Sequence, residues 1–263
     1  MQISQQRDRE TSGVSDTILA TKGLTKEFRG FVAVNDVDLT VRAGTIHALI
    51  GPNGAGKTTC FNLLTKFLSP TRGRIEFKGH DITGLRPSAV ARLGLVRSFQ
   101  ISAVFSHLTA LENVRIALQR QRGGSFDFWR SEEALKCFDA RARALLDDVG
   151  LADDLETPAV QLPYGRKRAL EIATTLALDP EMLLLDEPTA GMTHEDVDRI
   201  VALIGRVRHG RTILMVEHNL SVVQGLCDII TVLARGQILA EGDYARVSRD
   251  PDVVTAYLGT AHA

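Results

Sequence analysis

The sequence predicts an α/β fold: a core with a parallel β-sheet, an antiparallel β lobe and an inserted α-helical subdomain. Three observations predict it. A Gly-rich loop, Gly51-Pro-Asn-Gly-Ala-Gly-Lys-Thr-Thr59, stands between an apolar run suited to a strand and a helical continuation. A second apolar run, Met182-Leu-Leu-Leu185, ends in Asp186-Glu187. Between the two, from about residue 101 to 178, the apolar spacing becomes helical.

Composition narrows the functional classes. A formal net charge of −1 does not indicate a basic nucleic-acid-binding surface. The three cysteines, Cys60, Cys137 and Cys227, show no metal-ligand spacing and read as thiols of a reducing compartment. No apolar run approaches the length of a membrane span, and the N-terminus has no signal-peptide core. The chain therefore reads as cytosolic or docked on a membrane protein. Residues 1–16 are polar and are expected to form a disordered tail.

In chain order, strands are expected over 17–28 and 32–41, with a turn at Phe28-Arg-Gly-Phe31. Residues 45–50 form a buried strand, and a helix continues through 60–64. A turn at 69–73, a short strand over 74–78, a short helix around 88–93 and a strand over 95–99 ending at Gln100 follow. Helices are expected over 109–121 and 132–149, separated by a Gly- and aromatic-containing loop at 122–129. The core resumes with strand 182–185, helix 196–208 and strand 212–216. A hairpin of 227–234 and 237–241 turns at Arg235-Gly236, and a helix lies near 251–258. The implied organisation is a core and β lobe from 17–100 and 181–241, a helical subdomain over 101–180, and a C-terminal helix within 242–259.

The loop carries the first chemistry. Glycines at 51, 54 and 56 let consecutive N–H groups turn toward phosphate oxygens. Pro52, Asn53, Ala55 and Thr59 complete the cradle. Lys57 can reach the β- and γ-phosphates, and Thr58 can offer a hydroxyl to Mg²⁺. A buried strand ending in Asp186-Glu187 suits a magnesium site, Asp186 acting through a water and Glu187 polarising an attacking water. His218 stands just beyond a strand end, where such sheets bind ligands. A lone histidine there also has a structural reading. Phe28, beside its turn, reads either as core or as a platform for a base.

These residues, with Leu162-Pro-Tyr-Gly-Arg166, occur in the order and spacing of the ATP-binding subunit of ABC transporters, and the resemblance runs from about Thr17 to Gly259. It implies ATP and Mg²⁺ as ligands. It implies that Phe28 stacks on adenine, that Gln100 senses the γ-phosphate and metal, and that Asp186 supports the metal. Glu187 would be the general base and His218 the γ-phosphate switch. It also implies that Leu162, Pro163, Tyr164, Gly165 and Arg166 close over the ATP of a second cassette.

Two departures stand out. The family's signature usually reads Leu-Ser-Gly-Gly-Gln, so Pro163 lacks a hydroxyl and Arg166 replaces an amide with a cation. The cluster Arg166-Lys-Arg168 has an alternative reading as a solvated face. Thr193 stands where an aspartate is common after the Asp186-Glu187 motif. Tyr164, Leu170-Glu-Ile-Ala173, Ala190-Gly-Met192 and the segment Asp250 to Gly259 resemble the importer cassettes for branched-chain amino acids. That branch implies a second, different ATPase subunit, two membrane permeases, a periplasmic solute-binding protein and a place on the cytoplasmic face of the inner membrane. Relatives in the branch serve urea and short amides. A soluble ABC-type ATPase would usually show two fused cassettes, a coiled-coil insert or a basic surface, and a phosphate-loop kinase would leave the signature and His218 unexplained.

Overall fold

The computed structural model describes residues 16–98, 104–119 and 137–258. The antiparallel sheet is built on β1 (Thr17–Phe28), whose one edge pairs with β2 (Phe31–Val37) and β3 (Thr40–Arg42). Its other edge pairs with β5 (Arg72–Phe77), which carries β6 (His80–Asp81). The single strand expected over 32–41 is thus two strands. The break is chemical: Asp36 takes a left-handed φ of 56°, Gly23 opposite takes 60°, and Asp38 accepts the Gly23 N–H at 2.6 Å. The buried apolar positions change phase once there, from Val34 to Val37, Leu39 and Val41, too little for periodicity to divide the strand.

The central sheet contains β4 (Ile46–Ile50), β7 (Leu95–Ser98), β8 (Met182–Asp186), β9 (Thr212–Val216), β10 (Ile229–Ala234) and β11 (Gln237–Gly242). Its order is β11-β10-β4-β9-β8-β7, parallel throughout except for β11. Every residue of β4, β8 and β9 is buried, which is why these strands read as unbroken apolar runs. The pleat divides them between two cores. Ile46, Leu183, Leu185 and Ile213 face a core shared with helices, while Leu49, Met182, Leu184 and Leu214 face the antiparallel sheet and α1 (Lys57–Leu64).

Helix α2 (Pro87–Arg92) precedes β7, with its Val90 buried in the core shared with the antiparallel sheet, and on the helical side α3 (Ala110–Gln119), α4 (Asp139–Asp148) and α5 (Tyr164–Leu176) lie between β7 and β8 in the chain. Helix α3 starts on a reciprocal cap. Thr109 N–H donates to Glu112 Oε2 at 2.7 Å, and Glu112 N–H donates to Thr109 Oγ1 at 3.2 Å. Helix α4 is the described part of the helix expected over 132–149, and the loop expected at 122–129 lies outside the described residues. Helix α6 (His194–Val207) follows β8. Helices α7 (Leu220–Leu226) and α8 (Tyr244–Val247) were not expected from periodicity, being short. Their signals are the caps: Asn219 accepts from Ser221 and Val222 N–H, and Asp243 accepts from Arg246 N–H. Helix α9 (Pro251–Leu258) closes the described chain.

One polar chain crosses the sheet interior. His47 on β4 is fully buried, with Nε2 2.7 Å from Thr231 Oγ1. The Thr231 hydroxyl donates to Glu241 Oε2 at 2.6 Å, so the imidazole is the donor to Thr231. Burial pushes the His47 pKa down from 6.5 to about 4. Folded protein therefore resists a proton that unfolded chain accepts below pH 6.5. The stability contributed is complete above that pH and is lost as pH falls toward 4, by at most ~1.4 kcal/mol per pH unit. Thermal unfolding measured across this window is expected to show a steeper pH dependence for the parent than for His47→Gln. Parallel profiles would contradict the assignment.

Candidate nucleotide site

The loop after β4 is shaped by two positions that only glycine fits. Gly51 has φ 150°, and a Cβ there would lie 2.1 Å from the Leu233 carbonyl oxygen on β10. Gly56 has φ 102°, and its Cβ would lie 2.5 Å from the Ala33 carbonyl oxygen on β2. The loop is therefore clamped between both sheets, and α1 begins at Lys57 with its first-turn N–H groups at the loop. Lys57 is 6 % exposed and folds back, donating to the carbonyls of Gly51 at 2.7 Å and Pro52 at 3.0 Å. Burial lowers its pKa, opposed by the nearby Glu187 and Asp186 carboxylates. Ala55 is buried, while Asn53, Gly54 and Thr58 are exposed and Pro52 and Thr59 half-buried.

The parallel strand ends bring the acids to the same edge. Asp186 closes β8 and is 6 % exposed. Glu187 takes a left-handed φ of 46°, held by its N–H donating to Val216 O at 2.9 Å. A non-glycine residue in that region is strained, as at many functional sites. Glu187 Oε1 lies 2.8 Å from His218 Nε2, so the structure pairs these two expected site residues directly. Gln100 lies outside the described residues.

Phe28 is 42 % exposed at the β1–β2 hairpin, where Arg29 and Gly30 take φ of 47° and 91°. The Lys26 ammonium lies 5.1 Å from its ring centroid. Phe31, its cross-strand partner, is more exposed still at 67 %, so the hairpin presents two aromatics where one was expected. Five residues beyond Phe28 in the same hairpin, Ala33 touches the phosphate loop.

Pro163 caps α5, so the signature residues Tyr164 to Arg166 form that helix's first turn, after buried Leu162. Tyr164 Oη donates to Ala190 O at 3.1 Å. A Cβ on Gly165 would lie 2.7 Å from Asp196 Oδ1, so a larger residue there would displace the Asp196 side chain. The alternative reading of residues 166–168 as a solvated basic face fails at Arg168 alone, since the Arg166 side chain is 42 % exposed and Lys167 half-buried. Arg166 is ion-paired with Asp154, and Arg168 is an interior residue, 4 % exposed. Arg168 donates to Glu171 Oε2 at 2.7 Å and to the Asp186 carbonyl at 2.9 Å. It thereby ties the signature helix to the end of β8. Thr193 caps α6, accepting the Asp196 N–H.

Arg97 was also missed from sequence. It pairs with the Asp186 carboxylate, donates to Asn62 Oδ1 at 2.6 Å and lies 5.9 Å from the Phe61 ring centroid. The available signal was a cation inside the otherwise uncharged strand β7. Asp186 is thus held by two arginines, one on its side chain and one on its carbonyl. Arg97 also lines a groove of about 490 Å³ between α2 and β7 on one side and α3 and α5 on the other. Phe67 and Phe105, 51 % and 55 % exposed, stand on it.

A family model described as ABC transporter matches residues 34–190, and one described as branched-chain amino acid ATP-binding cassette transporter matches 237–263. The high-affinity branched-chain amino acid transport ATP-binding protein BraF of Pseudomonas aeruginosa is 40 % identical over 259 residues, covering 94 % of this chain and 100 % of that one. LivG of Escherichia coli, similarly described, gives the same identity and coverage. The solved ADP conformation of an ATP-binding cassette of an ABC transporter superposes with a TM-score of 0.80 at 31 % identity, covering 92 % of this chain and 99 % of that one. A nucleotide-free cassette gives 0.79 at 30 %, with 92 % and 98 % coverage.

The Arg168–Glu171 pair generates a stability prediction. Glu171 is 1 % exposed and its pKa is raised by burial, against the pull of Arg168. Arg168→Met strands this carboxylate and is expected to destabilise by about 3–5 kcal/mol. Adding Glu171→Met is expected to recover much of the loss, both read by denaturant unfolding. A double variant as unstable as the single one would contradict the charge-pair account.

Proposed function

The chain belongs to the ATP-binding cassette family of ABC transporters, and from that membership we infer that it hydrolyses ATP to drive import of branched-chain amino acids through a membrane permease. One observation carries the catalytic reading: the ends of β4, β8 and β9 set the phosphate loop, Asp186 and the Glu187–His218 pair along one edge of the sheet. We propose the following roles for the residues there.

The loop N–H groups and the start of α1 cradle the β- and γ-phosphates. Lys57 exchanges its bonds to Gly51 and Pro52 for bonds to phosphate oxygens, the Pro52 carbonyl keeping the Ala55 N–H at 3.2 Å. Phe28 stacks on the adenine. Glu187 orients the attacking water and accepts its proton, and His218 both holds Glu187 and grips the γ-phosphate. Thr58, Gln100 and Asp186, the last through a water, would hold Mg²⁺, which supplies charge neutralisation on the transferred phosphoryl group. The donor set fits that ion: one exposed hydroxyl and one carboxylate are hard oxygen ligands, with nucleotide and water completing the shell. Among the described residues no cluster of three His, Cys, Asp or Glu side chains competes as a metal site.

The remaining assignments concern assembly. Among the described residues no helix is long and apolar enough to cross a membrane, so the transport path belongs to the permease partners. The groove flanked by Phe67 and Phe105 is the proposed seat of a permease helix on the cytoplasmic side of the inner membrane. A second, different cassette supplies the signature facing this chain's loop, while Leu162 to Arg166 face that cassette's ATP. A periplasmic binding protein delivers the amino acid to the permeases.

Glu187→Gln in the assembled transporter is expected to keep ATP affinity within about twofold while turnover falls about 10²- to 10⁴-fold. Unchanged turnover would remove Glu187 from the general-base role. With this chain's own site silenced by that substitution, Pro163→Ser is expected to raise hydrolysis at the partner's site, read as phosphate release. No increase would mean that the proline does not limit that site.

A further inference from the structure

The loops after β8 and β9 carry Glu187 and His218, and one buried side chain outside the mechanism above joins them. Glu217, immediately before His218, is 3 % exposed. Its Oε1 accepts from the Thr189 N–H at 3.0 Å and from the Thr189 hydroxyl at 2.6 Å. Its Oε2 accepts from the main-chain N–H groups of His218 at 3.0 Å and Asn219 at 3.2 Å. Thr189 lies two residues beyond Glu187, and Asn219 caps α7. The strap therefore runs from the Glu187 loop, through one carboxylate, to the His218 loop and the helix behind it. The Glu187 N–H to Val216 O bond supports it from the main chain.

The chemistry of the strap needs an ionised carboxylate. A buried charge is costly unless its lone pairs are filled, and here four donors fill them. A glutamine of the same shape keeps one acceptor oxygen and turns an NH₂ group toward donors on the other side. One of the two loops must then shift. We infer that Glu217 is a positioning residue for hydrolysis: its carboxylate sets the separation of the two loops and with it the 2.8 Å contact between Glu187 and His218. This rests on the catalytic roles proposed above for those two residues.

A residue that only stabilises the fold would lower the thermal midpoint and leave kcat of the folded enzyme unchanged. A positioning residue acts through the pair it aligns. The test is a double-mutant cycle in the assembled transporter, with kcat, KM for ATP and thermal midpoint measured for Glu217→Gln, His218→Ala and the double variant. Expected is a kcat loss of about tenfold or more for Glu217→Gln with KM changed less than about twofold. In the His218→Ala background the same substitution is expected to cost less than about twofold. Equal losses in both backgrounds overturn the positioning role. Should Glu217→Gln be unfolded at the assay temperature, Thr189→Val carries the test. It removes one donor of the four and is expected to give a smaller kcat loss with the same dependence on His218. Full turnover in both His218→Ala and Glu187→Gln would overturn the catalytic reading itself. Loss in those two with none in Glu217→Gln and Thr189→Val would overturn Glu217 alone.

Discussion

The close approach of the phosphate loop to two neighbouring strands is the constraint on which the rest of the site depends. With a Leu233 carbonyl on one side and an Ala33 carbonyl on the other, no side chain fits at positions 51 and 56. The central sheet must therefore place β10 next to β4, and the antiparallel sheet must bring β2 to the start of α1. Once both hold, the hairpin bearing Phe28 and Phe31 is attached to the loop's border, and the other parallel strands deliver their ends to the same edge. The site is a consequence of sheet order as much as of its own residues.

The charges beneath the site are matched closely. Asp186 meets Arg97 through its carboxylate and Arg168 through its carbonyl, and the two arginines come from different elements, β7 and α5. Arg97 reaches the groove between the sheet and the helices, so a partner seated there lies one side chain from the acid. Glu217 provides the same service with the opposite charge, using only neutral donors. Such buried, hydrogen-bonded charges rigidify a site that must hold Glu187 in a strained left-handed backbone.

Much of this was legible in the sequence where physics is local. The runs at 45–50, 182–185 and 212–216 are apolar because both faces of those strands are covered, and the structure places all three inside the central sheet. The glycine spacing of the loop was legible because left-handed backbone and close approach both select that residue. The kink at Asp36 was not, since its one trace is a single change of phase, from Val34 to Val37, in otherwise alternating residues. Helices α7 and α8 were not, because seven and four residues are too few to show a period. Their capping residues, Asn219 and Asp243, were the only local trace.

By itself the sequence determined the chemistry on offer: a lysine and glycines for phosphate, paired acids after a buried strand, a histidine at a strand end, and a signature altered at Pro163 and Arg166. Which charges are paired internally is set by the fold. Arg168, open in sequence to a reading as surface charge, is a buried tie to Asp186, and Glu217 straps two loops together. The physical reason is that burial and pairing are non-local. A cation's role depends on which carboxylate a distant strand brings within 3 Å, and residue order along the chain does not encode that distance.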